Sequence, residues 1–176
     1  MFLNVIGHGT ATTRQRVTEG RGRGSRQTLG PMEALTLDIA QAVAQAALRY
    51  AREKKLLPLG VAILDARGAL KCYAAEEHSS LHRSAIAIGK ASGALAMGLG
   101  SRTLAKRARD TPAFYAALAA VIPGGVLPAP GGVLVRSAEG TLLGAVGISG
   151  DVSDNDEAAA LAAIEAVGLI GDAGSD

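Results

Sequence analysis

Two histidines four residues apart, His78 and His82, carry the most versatile chemistry in the chain, because a neutral imidazole nitrogen is both a titratable base and a metal ligand. On a helix that spacing stacks both rings on one face. One ring could then ligate a haem iron, or the pair could hold a divalent metal. Ser79 and Ser80 between them place the helix start later and leave His78 in a loop. Glu76 and Glu77 have no spacing that completes a metal motif, so no metal is assigned; solvated or capping histidines are the competing reading. Lys90 is the second candidate. It sits among Ile88, Gly89 and Ala91 in an otherwise apolar helix, where an ammonium costs several kcal/mol unless it snorkels or is paired. Arg83, earlier on the same helix, is placed to share its face, and the two cations together suit an anionic group. The competing reading of Lys90 is a structural salt bridge to an acid near Asp151 or Asp156.

The third candidate is the acidic stretch Gly150–Glu157, with four carboxylates, Asp151, Asp154, Asp156 and Glu157, between a strand end and a helix start. Proton abstraction beside a carbonyl needs one carboxylate base and a cation for the developing enolate, which this loop and Lys90 could supply jointly. Ser, Asp and Asn at a helix start also cap free N–H groups and complement the helix dipole, worth about 1 kcal/mol without any chemistry. The stretch lacks the spacing and terminal Glu of an EF-hand. Gly98-Leu99-Gly100-Ser101 and the two Pro-Gly-Gly blocks form neither a Walker sequence nor a dinucleotide fingerprint, and read as turns. Cys72, the sole cysteine, has no Cys-His-Asp arrangement around it and reads as a buried, inert thiol.

The elements that must position these groups follow from periodicity. Thr36 can cap a helix with apolar residues at Leu37, Ile39, Val43, Ala46, Ala47 and Tyr50, and Pro58 ends any helical reading. Leu59–Leu64 and Ala69–Ala75 flank the turn signal Asp65-Ala66-Arg67-Gly68 and read as a β-hairpin. Arg83–Met97 returns to a helical pattern stopped at Gly98, followed by a short helix over Ser101–Arg109 and another opened by Thr111-Pro112. Pro123–Val126 and Pro130–Val133 bracket a hairpin-like region. Strands are expected at Val133–Arg136 and Leu142–Ser149, and Ser153–Glu157 caps a final Ala-rich helix ending near Ile170. The order reads as an α+β domain with an antiparallel sheet flanked by helices, spanning residues 33–170 with a tail over 171–176.

The chain has 176 residues, the size of one domain, and 48% of them are apolar although only 3% are aromatic. The core must therefore be built from small and branched aliphatic residues, a composition that argues mildly against haem pockets and nucleic-acid platforms alike. Residues 1–32 hold five arginines against one acid, Glu19; the remainder is mildly acidic and gives no reason to expect a polyanion, so no nucleic-acid partner is expected. Alternating Gly and Arg at residues 20–24 spoil an amphipathic transit helix, and the expectation is a disordered basic tail or a start assigned too early, Met32 being the alternative. No apolar run is long enough to span a bilayer and no secretory pattern precedes the domain, so a cytoplasmic protein with no membrane partner is expected.

Val61–Gly68, Ala85–Ala91, Pro130–Val133 and Gly144–Gly150 followed by Asp156-Glu157 together resemble the GlcG/HbpS-like family across Leu35–Leu169. That resemblance implies a profilin-like fold, homo-oligomers, and links to haem binding or degradation. On it rests the leading expectation: a haem-binding protein in which His78 or His82 supplies a ligand and Arg83 or Lys90 meets a propionate. The alternative is a cofactor-free isomerase, tautomerase or lyase, in which Lys90 and Arg83 hold a small carboxylate while Asp151, Asp154, Asp156 or Glu157 moves the proton. A third is a non-enzymatic oligomeric accessory or sensor.

Overall fold

The computed structural model describes residues 34–176; the expectations made for residues 1–32 lie outside them. The elements in order are α1 (Leu37–Lys54), β1 (Gly60–Asp65), β2 (Leu70–Ala75), α2 (Arg83–Met97), α3 (Ser101–Asp110), α4 (Pro112–Val121), β3 (Gly132–Arg136), β4 (Leu142–Ser149), α5 (Ser153–Glu165) and β5 (Ile170–Asp172). The strands form one antiparallel sheet in the order β2-β1-β4-β3-β5. The expected α+β class is what the chain adopts, and none of the helices among the described residues is long and apolar enough to cross a membrane.

Strand alternation sends the two sets of side chains to opposite faces. Val61, Ile63, Val133, Val135, Val146 and Ile148 face α1 and α5, whose contributions are mainly alanines. Leu64, Leu134 and Ala145 face Ala91 and Ala94 of α2. On that second face the helix lies almost flush with the sheet. A Cβ at Gly147 would run into the Ala87 carbonyl oxygen, and one at Gly132 into that of Lys90. Gly132 and Gly147 are register partners, so the two glycines make one shallow floor under the helix. The small-residue composition of α2 thus has a specific purpose: it lets a helix backbone reach a sheet backbone.

Local signals explain most boundaries. Thr36 Oγ1 accepts from the Ile39 N–H, and α1 ends with Lys55 in the left-handed region. Asp65 Oδ1 accepts from the N–H groups of Arg67 and Ala69, tying the β1–β2 turn. Four expectations need correction. No hairpin lies between the two Pro-Gly-Gly blocks; residues 122–131 run irregularly along α2, held where Leu127 N–H donates to the Gly89 carbonyl and Ser92 Oγ to that of Gly125. Thr111 does not cap α4 with its side chain, because its hydroxyl donates back to the Arg107 carbonyl. The last helix stops at Glu165, short of Ile170, since Gly168 turns the chain at φ +76° into the edge strand β5. The residues after Ile170 are no loose tail either: Arg102 N–H donates to the Ala173 carbonyl, and Thr103 Oγ1 exchanges hydrogen bonds with the Ser175 backbone.

Replacing Gly147 by Ala should force α2 off the sheet and cost about 1–3 kcal/mol, the usual range for overpacking. Urea unfolding of the variant should show a lower midpoint; an unchanged midpoint would mean that the helix has slack the packing does not suggest.

Candidate functional site

Register brings one end of the sheet together. Gly60 of β1 faces both Ala75 of β2 and Ser149 of β4, while Gly132 opens β3 beside Gly147. The start of α2 and the start of α5 arrive at this same end, and every residue singled out for chemistry is found on or next to it.

Lys90 is the most deeply placed. Its side chain is 3% exposed, and Nζ donates to Asp156 Oδ2 at 2.7 Å, with Asp156 only 2% exposed. The pair passes Gly131, where a Cβ would lie 2.9 Å from both Lys90 Nζ and Asp156 Cβ; φ of +113° at that residue also favours glycine. Burial pushes the Lys90 ammonium below its ordinary pKa and the Asp156 carboxyl above its own, and the hydrogen bond between them pulls each back toward the charged form. The other carboxylate oxygen, Asp156 Oδ1, accepts from the Asp151 N–H. Of the two readings of Lys90, this geometry is the structural salt bridge.

The rest of the acidic stretch is likewise engaged. Asp151 accepts from the N–H groups of Leu57 and Val152 and from Asn155, and these bonds hold its carboxyl below the ordinary range. The side-chain capping expected of residues 153–157 is not formed: Val152 is the N-cap of α5 and no side chain accepts a capping bond, while Asp151 and Asp156 brace the segment just before the helix instead. Arg102 of α3 collects three carboxylates: Nε donates to Glu157 at 2.9 Å, Nη2 to Asp154 at 2.6 Å and Nη1 to Asp176 at 3.3 Å. That clamp raises the arginine's own pKa further. Glu157 Oε2 is buried without a hydrogen-bond partner. Sequence reading missed Arg102 entirely. The only signal was a basic residue at the start of a helix, a place the dipole disfavours unless acids surround it.

Arg83 differs from Lys90 in reaching the surface. Its aliphatic stem crosses Gly60, where a Cβ would come within 2.7 Å of Cγ and 2.9 Å of the Tyr73 hydroxyl, and Nη1 donates to Ser149 Oγ at 3.0 Å. Nε is shielded and has no partner. His78 and His82 are both exposed, His78 in the left-handed region at φ +68° and His82 at the N-cap of α2 with no side-chain capping bond. The stacked helical arrangement is therefore not formed; the alternative placement of His78 in a loop is the observed one. Among the described residues no three His, Cys, Asp or Glu side chains cluster as a metal site. The same end of the sheet exposes apolar side chains: Leu81 is 88% exposed, Val152 64% and Leu57 61%. Asp151 holds the last two together through their backbone N–H groups. Imidazoles, a guanidinium and exposed apolar side chains are thus all found at this end of the sheet.

Removing one partner of the buried pair strands the other. Lys90→Met should cost about 3–5 kcal/mol by leaving a buried carboxylate, while Lys90→Met combined with Asp156→Leu should recover much of that loss. Chemical denaturation of the single and double variants measures it; additive losses would show that the pair does not act as a unit.

The comparisons with known proteins agree with this fold. Among solved structures the chain is similar to a PduOC–haem complex, with 28% identity, a TM-score of 0.69, and 77% of this chain and 96% of that one covered. It is also similar to HbpS, with 26% identity, a TM-score of 0.66, and 79% and 94% covered. A Klebsiella pneumoniae protein, ORFY, shares the fold at 22% identity and a TM-score of 0.68, with 76% and 90% covered. Among curated proteins none matches significantly. The model of the family described as haem degrading protein HbpS-like matches residues 35–165, most of the described chain, and the protein belongs to that family.

Proposed function

We propose that the protein binds haem on the exposed surface at the start of α2. The observation that carries this reading is that His78, His82 and Arg83 and the uncovered apolar side chains of Leu57, Leu81 and Val152 all lie at one end of the sheet. A porphyrin needs apolar surface for its ring, an axial donor for iron and cations for its propionates, and this surface offers all three types of group. Arg83 is the cation of this set that reaches the surface, and a guanidinium suits a propionate carboxylate through charge-assisted hydrogen bonds. Support also comes from the family's description and from the haem complex among the similar structures. Haem degradation, which the family's description names, would belong to the same surface, and self-association is a further part of the proposal inherited from the resemblance.

Proton transfer on a small carboxylate is less well supported. It requires a free cation beside a free base, yet Lys90 and Asp156 are sealed in their ion pair while Asp154 and Glu157 are engaged by Arg102. Asp151 is occupied by three donors.

Titrating the protein with haemin should give a saturable Soret band. His78→Ala/His82→Ala should shift or abolish it, and Arg83→Ala should weaken binding by about tenfold, as for loss of a charge-assisted hydrogen bond. A saturable band indifferent to all three substitutions would remove the proposed surface; no saturable band would remove haem itself.

A further inference from the structure

A separate cavity opens at the other end of α2. It has a volume of about 430 Å³ and is lined by Met97, Arg107, Asp110, Thr111, Phe114 and Tyr115. Along a helix rising about 1.5 Å per residue, Met97 lies roughly 20 Å from Arg83, so this cavity is distinct from the surface assigned to haem. Its volume falls within the range of small-ligand sites.

The lining states what would fit. Phe114 and Tyr115 meet edge to face, ring centroids 5.6 Å apart and planes at 88°. Tyr115 is 5% exposed and belongs to the apolar cluster with Leu104 and Val126, whereas Phe114 is 54% exposed and stands as an open wall. These are two of the few aromatic residues of a chain that is only 3% aromatic. Met97 adds an adaptable thioether that packs well against a ring. The cavity is therefore shaped by aromatic and thioether surface rather than by the aliphatic side chains that fill the core.

Charge supplies the second half of the recognition. Of the cations on α3, Arg102 is consumed by its three carboxylates. Arg107, at the cavity, makes no ion pair among the described residues, not even with Asp110 one turn away, and Lys106 and Arg109 beside it are likewise unpaired and exposed. Asp110 is the one opposing charge in the lining. The local balance favours an anion, and a guanidinium is built for bidentate recognition of a carboxylate.

We infer that this cavity binds a small aromatic carboxylic acid, its ring against Phe114 and Tyr115 and its carboxylate on Arg107. The probe is 2-naphthoate, followed by its fluorescence on titration with the full chain, with 2-naphthalenemethanol as the neutral isostere. The expected result is one saturable site that prefers the acid. Arg107→Ala should weaken it about tenfold, Phe114→Ala should weaken it as well, and Asp110→Asn should tighten it by removing the opposing charge. Both of the first two positions are exposed, so these substitutions leave the core intact. Unsaturable binding, equal affinity for the alcohol, or a titration unmoved by Arg107→Ala would overturn the assignment. Because haemin is absent from the experiment, its outcome is independent of the haem proposal.

Discussion

The buried Lys90–Asp156 ion pair is the interaction on which the rest of the molecule's arrangement depends. It joins the helix on one face of the sheet to the helix that packs on the other, and it does so around the end of the strands, past Gly131. Desolvating two charges is expensive, and an ion pair so deeply buried adds less to stability than an apolar replacement could. What it supplies is uniqueness of position: once Nζ must meet Oδ2, α2 cannot slide along the glycine floor made by Gly132 and Gly147. The start of α2 is thereby fixed, and with it Arg83 over Gly60 and His82 at the N-cap.

The same economy explains the acidic stretch. Four carboxylates look like reactive equipment, but each is used to fasten something. Asp156 holds Lys90, Asp151 holds the segment before β1 to the start of α5, and Asp154 and Glu157 hold α3 through Arg102. Arg102 also draws in Asp176, so that the last residues are tied to the body of the domain. With those four acids spent on architecture, the groups left to meet a ligand at this end are Arg83, the two histidines and the leucines and valine around them, with exposed Glu77 beside His78 as the remaining acid.

Elements whose signals are local were legible from sequence. The Thr36 cap, the Asp65 turn and the Gly98 stop act within a few residues, and their positions follow from the side chains themselves. The ion pair was partly legible too, because a lysine in an apolar helix demands a partner and few acids were placed to serve. What could not be read depended on distant neighbours. Residues 122–131 carry turn signals at both ends, yet their path is set by α2 through Gly89 and Ser92. The edge strand β5 is three residues long and gains its identity only from β3. The Arg102 clamp draws on acids distant in sequence, and the Met97–Tyr115 cavity, although lined by one short stretch of chain, depends on how α2, α3 and α4 pack, with no motif to announce it.

The central claim, that haem sits where α2 begins, is tested most directly by paramagnetic broadening. In a backbone amide spectrum of the isotopically labelled protein, substoichiometric ferric haem should broaden Leu57, the residues from His78 to Arg83, and Val152 before any others. Broadening centred instead on Met97 and Tyr115, or spread evenly over the surface, would contradict the account.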